Sequence, residues 1–156
     1  MAAAAGSGWG RDLLAAYNRP AARVGEGQSL AQSGATAMMD ISDGLAKDLS
    51  RLCSESEVGA AITLYALPVA PGVHELSKVL QDFDPLALAL SGGEDYELLA
   101  TLPQEAVERV TAKLRERFGT PLTEIGEIRK GTGLIAIDWD GSERPLDPLG
   151  WDHFAS

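Results

Sequence analysis

Soft metal ligands are almost missing from this sequence: one cysteine, Cys53, and two histidines, His74 and His153, are all that 156 residues carry. A single thiol closes no intrachain disulfide, and a Cys/His zinc cage is excluded, so any metal has to be hard and oxygen-bound. Basic residues are also short, with 13 Lys and Arg against 23 Asp and Glu and a formal net charge of −10. A surface of that sign repels nucleic-acid phosphates and anionic lipid, and argues against both as partners. If the ligand is nonetheless a phosphate compound, divalent cations must bridge the two. No apolar run approaches the ~18 residues of a membrane span, and the opening "MAAAAGSGWG" lacks the basic n-region and the length of a secretion signal, so a cytoplasmic location is expected. The phosphate-binding pattern G-x-x-x-x-G-K-[ST] is absent as well, which removes the Walker A class.

What is present suffices for one domain, in which a chain of this length buries roughly two-thirds of its extended surface. Residues 1–10, opening on Ala, Gly and Ser, are expected to be a disordered lead-in, and 11–156 a single domain without a dividing linker. Helical spacing predicts helices over 11–19, 25–34, 42–56, 71–80, 84–93 and 103–119, with Pro20 stopping the first and Gly119 closing the last. Short apolar or alternating runs predict strands over 36–41, 60–68, 94–102, 122–128 and 133–139, the last two as a hairpin around "RKGTG". Helices and strands interleave without an internal repeat, so a layered α/β or α+β domain is expected.

The chemistry concentrates at "AMMDISDGL" (37–45), where an apolar strand runs into two carboxylates, a hydroxyl and a glycine before a helix begins. An ordinary helix needs one capping oxygen there, and Ser42 or Asp43 would supply it for about 1 kcal/mol. Asp40 and Asp43 exceed that need, and an unpaired charge at the end of an apolar strand is costly. Gly44 leaves backbone open to close approach, at a cost in helix stability relative to Ala. Those features suit a metal–phosphate site: helix N–H groups and the Ser42 hydroxyl donate to phosphate, and the carboxylates hold Mg²⁺.

A second acidic stretch, "SGGEDYELL" (91–99), places Glu94, Asp95 and Glu97 behind a glycine pair. It reads either as a turn with solvated charges or as a turn whose acids face a polar or cationic ligand. Strict alternation would put Asp95 and Glu97 on one face and Glu94 with Tyr96 on the other. The ending "GWDHF" carries Trp151 and Phe154, which gain from docking although chain ends fray. Trp151 can be core or a flat platform for an aromatic or cationic heterocycle, and His153 is given no catalytic role.

"MMDISDGLAKDL", "LALSGGEDYELLATLP" and a terminal "GWDHF", with "IGEI" and "GTG" between the last two, together resemble the C-terminal half of the thiamine-monophosphate kinase family. That family is related to aminoimidazole ribonucleotide synthetase, selenophosphate synthetase and the hydrogenase maturation dehydratase. The resemblance implies an α+β fold, a three-layer α/β/α sandwich with partial ferredoxin-like topology. It implies transfer of the ATP γ-phosphoryl group to thiamine monophosphate, with Mg²⁺ neutralising the anions. Carried over by position, Asp40 and Asp43 are expected to be Mg²⁺ ligands, Ser42 an ATP contact, Glu94 a substrate contact and Trp151 an aromatic neighbour of the thiamine. No catalytic base is expected, because the acceptor is already a phosphate. The family's N-terminal domain, which supplies most of the nucleotide pocket and the main homodimer contact, has no counterpart here, so the chain alone is expected not to turn over ATP. A noncatalytic phosphate-binding or interaction module is the alternative.

Overall fold

The computed structural model describes residues 6–150. In chain order these form α1 (Gly8–Asn18), α2 (Val24–Gln32), β1 (Ala37–Asp40), α3 (Leu45–Glu55), β2 (Gly59–Thr63), a 3₁₀ turn (Leu64–Ala66), α4 (Pro71–Ser77), α5 (Pro85–Ser91), β3 (Leu98–Thr101), α6 (Gln104–Phe118), β4 (Gly126–Arg129), β5 (Gly133–Ile137) and β6 (Glu143–Pro145). The first helix starts earlier than the sequence suggests: Ser7 caps it by accepting from the Gly10 N–H, so residues 8–10 are helical and not part of a lead-in.

The α+β expectation holds. Strands β1 and β3 form an antiparallel two-stranded ribbon in which Met38 faces Ala100 and Met39 faces Leu99. Successive strand residues point to opposite faces, so Met38, Leu98 and Ala100 pack with Leu30, Ala106, Val110 and Leu114 of α2 and α6. Met39 and Leu99 join the larger core formed by Leu45 and Leu49 of α3, Ile62 of β2, Leu134 of β5 and Leu86 and Leu90 of α5. The ribbon thus carries helices on both faces. The units β1–α3–β2 and β3–α6–β4 follow each other along the chain, and their like strands pair antiparallel, β1 with β3 and β2 with β4.

The second sheet has four strands in the order β4-β2-β5-β6, which corrects the expected hairpin over 122–139. Strand β2 lies between the two segments, antiparallel to β4 and parallel to β5. Its sequence "GAAIT" explains the choice: a strand of small and apolar residues on both faces is suited to a central position. The link from β4 to β5 therefore crosses the end of β2, and the fit there is tight, since a Cβ on Gly59 would stand 3.0 Å from the Gly133 carbonyl oxygen. The predicted strand 60–68 ends at Thr63, and 94–102 becomes regular only at Leu98. Strand β6 escaped prediction because all three residues of "ERP" are exposed and leave no alternation to read.

Candidate functional site

Helix α3 begins at Leu45, not Ser42, and its N-cap is Gly44 with φ 117° and no side-chain capping bond. The ordinary cap expected from Ser42 or Asp43 is therefore not formed. The capping runs backwards instead. Asp48, inside the first turn, accepts the N–H groups of both Ser42 and Asp43 on Oδ2, each at 2.9 Å. Arg51 Nη1 stands 3.5 Å from its Oδ1. Those two amides are spent inside the protein, so they are not among the N–H groups expected to donate to phosphate.

Sequence reasoning passed over Asp48, yet the signal was there. With Leu45, Leu49 and Leu52 at helical spacing, position 48 falls on the same stripe, and a carboxylate on a core stripe asks for a partner.

The two acidic stretches, far apart in sequence, are joined by backbone. Beyond the register pair Asp40–Leu98, the Ile41 N–H donates to the Glu97 carbonyl at 2.9 Å, the Tyr96 N–H to the Ile41 carbonyl at 2.8 Å, and the Glu94 N–H to the Ser42 carbonyl at 2.8 Å. Glu94 and Tyr96 adopt positive φ, 67° and 51°. Such conformations cost about 1–3 kcal/mol each, persist only where surroundings enforce them, and cluster at functional sites. Simple alternation through 94–97 is thereby broken. Gly44 packs on the same segment: a Cβ there would lie 3.0 Å from the Ser91 carbonyl.

Asp40 is exposed at the end of β1 and Ser42 is half-buried beyond it. The Asp43 side chain, 15% exposed, meets Lys47 Nζ at 3.3 Å and Arg51 Nη2 at 3.4 Å. Burial pushes the Asp43 carboxyl up, but the two cations outweigh it and hold it below its ordinary value. Glu94 is exposed on the facing segment. Asp95 retains exposed surface, but the protein crowded around its carboxyl, and then the Glu97 charge, push its pKa up. Glu97 is taken up by an ion pair: Arg23 grips it with two bonds, Nε–Oε2 at 3.0 Å and Nη2–Oε1 at 2.7 Å. Arg23 also reaches Glu26, whose carboxylate accepts from the Thr120 hydroxyl.

Asp40, Ser42, Asp43 and Glu94 thus sit along one hydrogen-bonded junction. Trp151 lies outside the described residues; Gly150 before it rests on the junction, where a Cβ would stand 2.5 Å from the Asp43 carbonyl oxygen and 2.7 Å from Lys47 Cβ. Among the described residues no three His, Cys, Asp or Glu side chains converge to hold a metal. The donors are two carboxylates and a hydroxyl. Hard oxygen ligands in that number suit Mg²⁺, which takes one or two carboxylates and completes its shell with water and substrate phosphates.

The family model of AIR synthase related proteins, C-terminal domain, matches residues 6–138. The chain is 36% identical over 144 residues to the thiamine-monophosphate kinase of Escherichia coli K12, covering 92% of this chain and 43% of that protein. It is 34% identical over 145 residues to the thiamine-monophosphate kinase of Pyrococcus abyssi, covering 93% of this chain and 42% of that protein. The chain therefore spans under half the length of these curated relatives. Among solved structures, AaThiL complexed with AMPPCP and TMP superposes with a TM-score of 0.78 at 32% identity, over 95% of this chain and 43% of that one.

Proposed function

This chain belongs to the family of AIR synthase related proteins as its C-terminal domain, and on that premise we propose that it carries the metal–phosphate half of a thiamine-monophosphate kinase site. The reaction is transfer of the ATP γ-phosphoryl group to the phosphate of thiamine monophosphate, giving thiamine diphosphate and ADP. One observation carries the reading: the loop of Asp40, Ser42 and Asp43 is hydrogen-bonded to the strained segment of Glu94. Residue types suited to metal, phosphate and cationic substrate thereby share one rim.

Asp40 and Asp43 would hold Mg²⁺, which when bound neutralises phosphate charge. The Ser42 hydroxyl donates to a phosphate oxygen of ATP. Glu94 orients the acceptor, with its carboxylate toward the positive thiazolium ring, and Trp151 offers that ring an aromatic face. Lys47 and Arg51, which share the Asp43 carboxylate, keep that charge compensated until a metal takes it. No residue is needed as a base, because the acceptor phosphate is already an anion and catalysis rests on positioning.

In this reading the remainder of the nucleotide pocket and the homodimer contact belong to the family's N-terminal domain, and these 156 residues by themselves bind without turnover. No helix among the described residues is long and apolar enough to cross a membrane; a cytoplasmic location is part of this proposal, because the proposed reaction draws on ATP. The test is calorimetric titration of the chain with AMPPCP and with thiamine monophosphate, with and without Mg²⁺, beside Asp40→Asn. Mg²⁺-dependent AMPPCP binding that Asp40→Asn removes is the expected result. A folded chain that binds neither ligand overturns the half-site reading. Thiamine diphosphate production by the chain alone would show that these residues turn over ATP unaided and would rule out a noncatalytic module.

A further inference from the structure

Among the described residues Asp48 is the acid that the fold buries completely, at 0% exposure. Burying a carboxylate is costly unless partners compensate, and an apolar residue on the same stripe would pack without that cost. The partners here are specific. One oxygen takes the Ser42 and Asp43 amides, while the other makes no hydrogen bond among the described residues and stands 3.5 Å from the Arg51 guanidinium. The carboxylate lies within the first turn of α3, where the helix dipole favours a negative charge. Its two amide bonds are charge-assisted, the strong class. They fix the backbone of the two residues whose side chains the proposed function places on nucleotide and metal.

We propose that Asp48 is a positioning residue of this site: it touches no ligand, but holds Ser42 and Asp43 so that hydroxyl and carboxylate are set before a ligand arrives. The inference rests on the metal–phosphate reading of the same loop. It adds a residue that acts through backbone amides, and explains why the bend at 41–44 stays open without a side-chain cap. Outer groups that orient metal ligands are worth about 10- to 100-fold in affinity.

The experiment uses the full chain as wild type, Asp48→Ala and Asp48→Asn. It reads amide hydrogen exchange at Ser42 and Asp43 by nitrogen-15 NMR, and calorimetric affinity for AMPPCP with Mg²⁺. Asp48→Ala is expected to lose protection at those two amides, keep it at Tyr96, and bind about 10- to 100-fold more weakly. Asp48→Asn retains a carbonyl oxygen that both amides can reach, and is expected to restore most of both readouts. A folded Asp48→Ala that binds as the wild type does overturns the proposal. Should that variant not fold, Asp48→Asn decides, because affinity must follow protection: loss of either without the other overturns the role. A wild-type chain that does not bind AMPPCP sinks the functional reading and this role with it, an outcome distinct from equal binding by wild type and variant.

Discussion

The backbone N–H of Glu94 donates to the carbonyl of Ser42 at 2.8 Å. That bond ties a left-handed residue of one acidic stretch to the strand-to-helix bend of the other. Neither segment can shift without dragging its neighbour, so a change in the glycine-rich stretch has to be felt at the strand-to-helix junction.

Gly44→Ala tests the bend directly. At φ 117° and ψ 144° the backbone is open only to glycine, and the added methyl would meet the Ser91 carbonyl at 3.0 Å. The expected loss in chemical denaturation is about 1–3 kcal/mol. A loss within about 0.5 kcal/mol, the range of an ordinary surface substitution, would show that the bend relaxes freely.

Asp95 and Asp43 should respond to pH with opposite sign. The folded pKa of Asp95 is raised above its ordinary 3.8 by crowding and then by Glu97, so the charged form disfavours the fold: the favourable term is whole below 3.8 and is lost as pH rises through the folded value. Asp95→Asn should therefore stabilise the chain at neutral pH and leave it unchanged in acid. Asp43 is depressed below 3.8 despite burial, because of Lys47 and Arg51. Its contribution is present above 3.8 and disappears as pH falls through the folded value, so Asp43→Asn should cost stability at neutral pH only. Urea melts across the acid range read both, and a pH-independent difference for either variant would refute its assignment.

The Arg23–Glu97 pair has good geometry but stands 29% and 52% exposed at its two side chains. A double-mutant cycle should return about 0.2–1 kcal/mol, shrinking with added salt. A coupling of several kcal/mol that salt does not touch would mean that the pair is dry in solution.

Leu114→Ala should cost far more. The side chain is 2% exposed in the cluster between α2 and α6, and truncation at such sites costs about 2–5 kcal/mol. Ile128→Ala, at a position 43% exposed, is the companion; equal losses in thermal or chemical melts would contradict the core drawn here.

Local signals carried much of this structure. Gly119 closes α6 where a stop was expected; of the stripe expected there, Val110 and Leu114 are buried, while Val107 is half-buried and Ala106 takes the buried place beside them. The strand-to-helix junction was also legible, because its polar residues exceed what a cap requires. What failed was non-local. Nothing within 122–139 says that β2 will insert between two segments joined by "RKGTG", since that choice depends on a strand elsewhere with two apolar faces. Likewise, alternation through "EDYEL" was overridden by the bonds that the left-handed Glu94 and Tyr96 donate from their backbone N–H groups to the carbonyls of Ser42 and Ile41. The burial of Asp48 was readable from its stripe, but which amides it would take was not.

The central place of β2 has a consequence for how the protein is made. A chain growing on the ribosome releases "GAAIT" well before either flanking strand, so for that interval both of its edges present unpaired N–H and C=O groups. The β4 and β5 segments cannot shelter in each other as a local hairpin; they must close around a strand that is already waiting. Late, non-local closure of this kind is slow and leaves sticky edges exposed meanwhile. Nascent chains halted before Gly126 are therefore the ones a chaperone would be needed to guard.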